Sequence, residues 1–449
     1  MTDATNSDVP GRPTHSLLKL DARTQRRRAA EARFQLYGKL AVAIGVLALL
    51  GLLASILANG ASSFRQTHVT LDVFLDPAKL DKKGTGDIEK IKKVTTFGYK
   101  PLIQKAMVSA IETNGLDDQG MKAKTIAKMI SPEAPATIRN YVIANPNQIG
   151  ETISFKLLVT GRVDGYFKGR VTMASAELDR NISPEQLRLA EEMKDAGIMI
   201  TGFNWGFLTM PDASDKRPEA AGLGVAILGS AYMMLVVLVL ALPLGVAAAV
   251  YLEEFAPKNR LTDLIEVNIS NLAAVPSIVF GILGLSVFIN FAGLPQSAPI
   301  VGGLVLTLMT LPRIIIPARA ALQAVPPSIR EAALGVGASK MQTVFHHVLP
   351  LATPGILTGL IIGLGQALGE SAPLLLIGMV AFVREYPGAP PEGLFDPAAA
   401  LPVQVYSWTT RGDPAFFERA SGAIIVLLVF LFLMNIIAII LRRRFERRW

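Results

Sequence analysis

The chain has 449 residues, 51% of them hydrophobic and only 18% charged, which leaves too little polar surface to clothe a water-soluble fold of this length. It has no cysteine, so disulfides, thiolate nucleophiles and cysteine-based metal sites are excluded. A formal charge of +8 raises nucleic acid as a partner, but the basic residues cluster as RTQRRR (Arg23–Arg28) before the first apolar run and RRRFERR (Arg442–Arg448) after the last. Such clusters are what the positive-inside rule puts on cytoplasmic flanks, so no nucleic-acid partner is expected.

Six apolar runs are long enough to cross about 30 Å of hydrocarbon, which takes roughly 20 helical residues. They cover residues 38–58, 222–251, 262–291, 297–322, 353–383 and 420–441. Their apolarity is continuous rather than alternating, which favours helices over a barrel. The expected class is therefore mainly α, a polytopic membrane protein of six transmembrane helices with both termini cytoplasmic. Residues 1–37 are too many and too polar for a cleavable signal peptide. They are expected to form a basic tail ahead of an uncleaved first span at 38–58, with a second basic tail at 442–449.

Residues 59–221 separate the first two spans and are numerous enough to fold as a domain. HVTLDVFLD (His68–Asp76) alternates like a strand, and ISFKLLV (Ile153–Val159) does so less cleanly. YKPLIQKAMVSAI and KAKTIAKMI read as helices. In SPEQLRLAEEMKDAG, Ser183 is the expected N-cap, Pro184 the first helical residue, Gln186 the closing member of a capping box and Gly197 the stop. The pattern predicts an inserted, extramembrane (periplasmic) α+β domain. It holds one histidine, His68, and no metal-ligand spacing or nucleophile motif, so it reads as a docking module or a spacer, with no catalytic residue and no metal. The Pro- and Gly-rich stretch 384–419, with three basic and five acidic residues, also suits a non-cytoplasmic position.

Two cytoplasmic segments remain, YLEEFAPKNR (Tyr251–Arg260) and a loop at 323–352. In VPPSIREAALGVG, Ser328 stands three residues before Glu331, a capping-box spacing that predicts a helix from Ile329 stopped by Gly335 and Gly337. Ser339 and Gln342 repeat the spacing. Met341, Val344, Phe345 and Val348 then share one helical face, and Leu349-Pro350 is expected to end that element. The product is two short helices lying at the membrane surface, which read as a plain connector between spans four and five. Their length alone would also suit a DNA-binding helix–turn–helix, but the neighbouring spans argue against it.

Glu331, Ala332, Ala333, Gly337, Leu349 and Pro350 resemble the EAA motif of ABC-importer permeases: E-A-A, three residues, G, then L-P. In that family the loop docks into a cytoplasmic ATPase and relays nucleotide-driven movement, so the resemblance assigns these six residues to ATPase coupling. His347 departs from the pattern, which has an apolar residue there. GLGQALGESAPLLLIG (Gly363–Gly378), ALPVQVY (Ala400–Tyr406), YLEEFAP and LAAVPSIVFGILGL (Leu272–Leu285) resemble the PstA-type permeases of phosphate importers. The resemblance covers about half the chain, from Gly222 onward. It implies a type I ABC-importer permease fold, a PstC-type permease partner, a PstB-type ATPase dimer and a periplasmic phosphate-binding protein. No G-x-x-x-x-G-K-[ST] loop occurs in this chain, so ATP is expected to be used by the partner, with no cofactor bound here.

Charged groups inside spans cost about 2.5–3.5 kcal/mol on insertion scales and are functional candidates. Arg313 falls within span four, with Arg319 nearer its cytoplasmic end. Glu370 falls within span five, beside Ser371 and Pro373. A guanidinium can bind phosphate oxygens bidentately, whereas Glu370 repels an anion and is better suited to hold an arginine. Glu370 as a structural ion pair or protonated carboxyl, and Arg319 snorkelling to headgroups, are the competing readings. Gln366 and Ile316 stand where the family commonly has arginine. The expected substrate path or gate therefore comprises Arg313, Glu370, Gln366, Ser371, Pro373 and Arg319. A permease for phosphonate or sulfate, or a membrane-anchored sensor or scaffold working through residues 59–221, are the alternatives to phosphate import.

Overall fold

The computed structural model describes residues 22–81, 88–380 and 382–445. The outer parts of both expected basic tails, 1–21 and 446–449, lie outside the described residues. The chain divides into a unit ending at Ile56 and a unit from Leu57 onward. The first is dominated by α1 (Ala22–Gly60), in which no charged residue follows Lys39, so the expected span at 38–58 lies inside one longer helix.

In the second unit, β1 (Arg65–Phe74), β2 (Thr152–Leu158) and β3 (Met199–Phe203) form an antiparallel sheet in the order β2-β1-β3. The register pairs Leu71 with Phe155 and His68 with Ile200. The alternation in β1 buries Val69, Leu71 and Val73 and leaves Thr70, Asp72 and Phe74 exposed, the pattern of a sheet covered on one face. That covered face joins a core with Tyr99, Leu102 and Met107 of the Thr96–Thr113 helix, Ile138 and Val142 of Ala134–Ala144, and Leu187 and Met193 of Pro184–Asp195. The Ser183–Gln186 capping box forms, and Gly197 takes φ +76 just past the helix end. KAKTIAKMI supplies only one α-turn and one 3-10 turn. The third strand was not expected, because five residues are too few to show an alternating pattern.

The remainder is mainly helical. Its elements are α2 (Gly224–Val250), α3 (Arg260–Ala273), α4 (Ser277–Leu283), α5 (Pro299–Gln323), α6 (Pro327–Gly335), α7 (Leu349–Gly369) and α8 (Pro414–Phe445). Small residues set the helix spacing, because a missing side chain lets backbones approach. A Cβ on Gly303 of α5 would come within 2.5 Å of Val236 in α2, and one on Gly359 of α7 within 2.6 Å of Pro317 in α5. Between the helices Met233, Val237, Val305, Met309, Leu360 and Leu364 form a common core.

Among the described residues, five helices are long and apolar enough to cross a membrane, or six if one bent pair counts as a single span. The expected continuous span at 262–291 is that bent pair. α3 ends at Ala273, and a second helix begins at Ser277 and runs on to Phe291 at 103° to the first. Pro276 accounts for the break, since it donates no N–H and disfavours helical backbone at Val275.

Span five also differs from expectation. Its helix stops at Gly369, where Glu370 turns extended (φ −78, ψ 122), and a five-residue helix, Ala372–Leu376, follows. At its other end Leu349-Pro350 ends nothing, because the helix runs unbroken from Lys340 to Gly369. A π-turn over Val344–Val348 precedes Pro350, with the Leu349 N–H bonded to the Val344 carbonyl. This wider turn makes room for a proline ring that would crowd the carbonyl four residues back.

The α+β domain is fixed to the base of α8 through buried charge. The Lys168 ammonium lies 2.7 Å from Asp164 and 3.0 Å from Glu418, and Arg170 also reaches Glu418. Next to it, Arg419 donates to Gln66 at 2.8 Å and to the carbonyls of Glu219 and Ala221. Asp212 holds both the Trp408 indole (2.9 Å) and Arg411 (2.5 Å).

Candidate coupling site and translocation path

α6 begins two residues earlier than the serine spacing predicts. Pro326 is the N-cap and Pro327 the first helical residue, so Ser328 lies inside the helix and its capping box with Glu331 does not form. A proline at that position has its φ already set and lacks an N–H that would be unsatisfied there anyway. The helix ends as expected. Gly337 takes φ +91, and the bonds Ala338 N–H to Ala333 O (3.1 Å) and Gly337 N–H to Leu334 O (3.0 Å) close a Schellman turn. The second capping box, Ser339 with Gln342, forms with both bonds present.

This turn presents a distinct tip. Ala333 is buried, whereas Glu331, Ala332, Leu334 and Gly337 are exposed, and Val336 is 86% exposed. Apolar side chains raised into solvent beside a single carboxylate suit a docking surface. The tip joins directly to the Lys340–Gly369 helix, where Val344 and Val348 are buried against Leu322, Val325 and Leu252, and Leu349 and Pro350 are half-buried. Met341 and Phe345 turn away from that core and line an apolar groove of about 410 Å³ with Val246, Tyr251 and Phe255.

Behind the tip lies an ion-pair cluster that sequence reasoning missed. Arg330 of α6 donates to Glu254 at 2.6 Å and to the carbonyls of Val325 (2.7 Å) and Leu322 (2.9 Å). The neighbouring Glu253 accepts from Gln323 at 2.8 Å and from Arg319 at 3.5 Å, and Arg319 also donates to Glu266 of α3 at 2.7 Å. Arg319 is thus held by two carboxylates at this end of the bundle. The available signal was the acidic pair in YLEEF, at the end of one span, against the arginines beyond another.

Along the helices the expected path residues do not form one cluster. Arg313 is half-buried, one of its terminal nitrogens is buried without a hydrogen-bond partner, and among the described residues no carboxylate pairs with it. It faces Gly363 of α7, where an added Cβ would lie 3.9 Å from the Arg313 Cβ. Glu370 stands seven residues further along, about 10 Å at 1.5 Å per residue, so it does not hold Arg313. Gln366 is exposed, Glu370 and Ser371 are half-buried, and Pro373 is packed under Gly281 of α4, where a Cβ would come within 2.7 Å of the Pro373 Cα. Ile316 is exposed. The arrangement offers an unpaired guanidinium midway along the bundle and a carboxylate at the break in α7.

Residues 241–449 match the family of binding-protein-dependent transport system inner membrane components. A probable ABC transporter permease protein, YqgI of Bacillus subtilis, is 34% identical over 226 residues, covering 47% of this chain and 76% of the relative. The chain belongs to this permease family. The phosphate transport system permease protein PstA 1 of Mycobacterium tuberculosis is 33% identical over 230 residues, 51% of this chain and 73% of its own length. PstA of Xylella fastidiosa is 30% identical over 218 residues, with 49% and 74% covered. Within the family the chain is a PstA-type permease, a multi-pass inner-membrane subunit and not an enzyme. Membership implies an ATPase and a substrate-binding protein as partners. Residues 21–177, covering α1 and most of the α+β domain, match a separate domain of unknown function, DUF3333.

Proposed function

We propose that this permease is the PstA-type subunit of an ATP-driven phosphate importer. It pairs with a PstC-type permease, a PstB-type ATPase dimer and a periplasmic phosphate-binding protein. In this reading both termini are cytoplasmic, the α+β domain is periplasmic, and the chain binds no cofactor, ATP being consumed by the partner. The observation that carries the coupling half is the exposed Glu331–Val336 tip joined to one uninterrupted helix that passes Arg313. A displacement of the tip is transmitted along a rigid element to the middle of the bundle.

Phosphate as the substrate is supported by the relatives named for phosphate transport and by the unpaired Arg313 guanidinium. A planar fork in a low-dielectric setting binds oxyanion oxygens strongly, and the absence of a neighbouring carboxylate among the described residues leaves it free to do so. Glu370, Gln366, Ser371 and Pro373 form the gate at the end of α7, where the extended Glu370 backbone is tied to the helix by a single long bond from its N–H to the Ala367 carbonyl (3.3 Å). Arg319 serves the ion-pair cluster instead of the anion. The test is radiolabelled phosphate uptake into vesicles containing the whole importer and ATP, comparing the unaltered chain with Glu331→Arg. Loss of uptake together with loss of ATPase retention supports the reading, and undiminished uptake removes the coupling role.

A further inference from the structure

The Arg330 cluster carries an inference that deepens this reading and rests on its coupling half. Glu253 and Glu254 are consecutive on the π-turn Tyr251–Phe255 that ends α2, so their side chains leave the helix in different directions and face different neighbours. Glu253 takes Gln323 and Arg319 of α5, and Arg319 brings in Glu266 of α3. Glu254 takes Arg330 of α6 and is itself 8% exposed at the side chain.

Arg330 does more than pair. The Leu322 carbonyl lies in the last turn of α5, where it also accepts from the Val325 N–H at 3.2 Å, and the Val325 carbonyl lies two residues past the helix end; the guanidinium donates to both. One side chain on the docking helix thus caps α5 and grips the end of α2. Apolar packing of Ala333 and Ile329 nearby is non-directional and lets surfaces slide, whereas a forked, multiply bonded guanidinium fixes both distance and angle.

We propose that Arg330, held by Glu254, is the positioning residue through which movement of α6 reaches α2 and α5. The α3 end is carried along through Arg319 and Glu266. On this view Glu331 makes the contact with the ATPase and its neighbour Arg330 passes the displacement inward.

The test uses the complete importer in proteoliposomes and reads phosphate transported per ATP hydrolysed, with retention of the ATPase on the purified complex as a separate readout. Arg330→Met and Glu254→Gln are expected to retain the ATPase while transport per ATP falls about tenfold. The chain has no cysteine. Glu254→Cys with Arg330→Cys, in cysteine-free partners, can therefore be rejoined by a short bis-methanethiosulfonate linker, which is expected to recover transport per ATP. An unchanged ratio in both single variants overturns the proposal, as does a linked double variant that retains the ATPase but recovers nothing. Loss of the ATPase from both single variants also overturns it, since Arg330 would then shape the docking face itself. An unaltered chain that retains no ATPase would instead overturn the functional reading beneath it, a result no variant can produce.

Discussion

The ammonium of Lys168, in the α+β domain, lies 3.0 Å from the carboxylate of Glu418 at the base of α8, with the two side chains 3% and 4% exposed. A charge pair this deeply buried gains little over an apolar pair but is costly to break. Without Glu418, Lys168 keeps only Asp164 at 2.7 Å and Arg170 loses its carboxylate. Glu418→Leu is therefore expected to destabilise the protein by about 3–5 kcal/mol, the range for removing one partner of a buried pair. Lys168→Met combined with Glu418→Leu should cost less than the sum of the two single changes. Thermal unfolding in detergent measures both, and additive losses would mean the two groups are not coupled.

Gly359 sits against Pro317 where α7 crosses α5, with an added Cβ only 2.6 Å from the proline Cβ. A ring fused to the backbone cannot move aside as a flexible side chain can. Gly359→Leu is expected to lower stability by about 1–3 kcal/mol through overpacking. Gly412→Ala, where a Cβ meets nothing within 4 Å, should leave the unfolding temperature nearly unchanged.

Arg313→Gln should abolish most phosphate uptake while leaving the ATPase bound, because it removes the unpaired guanidinium without touching the tip of α6. Arg313→Lys should recover part of the activity, since it keeps the charge but loses the bidentate fork. Uptake that survives Arg313→Gln intact would place the anion path elsewhere.

The fold was legible wherever one physical signal dominated. The positions of α2, α5 and α8 followed from apolar length, and Ser183 and Ser339 marked true helix starts because nothing nearby competed. At Ser328 something did compete: two prolines, whose fixed φ starts the helix earlier than a side-chain cap could. Span three failed for a related reason, since hydropathy averages across Pro276 and does not register a turn. The turn with its exposed tip, from Glu331 to Gly337, was readable, because the glycine that stops the helix is visible in the sequence. Its connection to Glu254 was not, because the pairing of Glu254 with Arg330 spans 76 residues and depends on which helices are neighbours. Arg313 was identified from its cost in a membrane, whereas Glu370 was misplaced inside a helix that stops one residue before it.

Burial raises the pKa of the Glu219 carboxyl above its ordinary value near 4.5, against the opposing bonds from Ser131 and the Gly161 N–H. A raised value means the folded state binds a proton that the unfolded state has released. The contribution of Glu219 to stability is thus fully present below its ordinary value and is lost as pH rises through the folded value. Glu219→Gln should therefore flatten the decline in unfolding temperature on that rise, as followed by melts from about pH 4 to about pH 8. Parallel curves for the two proteins would show that this carboxyl does not drive the pH dependence.

The most direct test of the central claim is ATP-dependent uptake of radiolabelled phosphate by proteoliposomes containing this chain and its partners, measured against excess sulfate and excess phosphonate. Saturable uptake that unlabelled phosphate suppresses and the other two oxyanions do not is the expected result. No phosphate uptake, or uptake displaced equally well by sulfate or phosphonate, would contradict it.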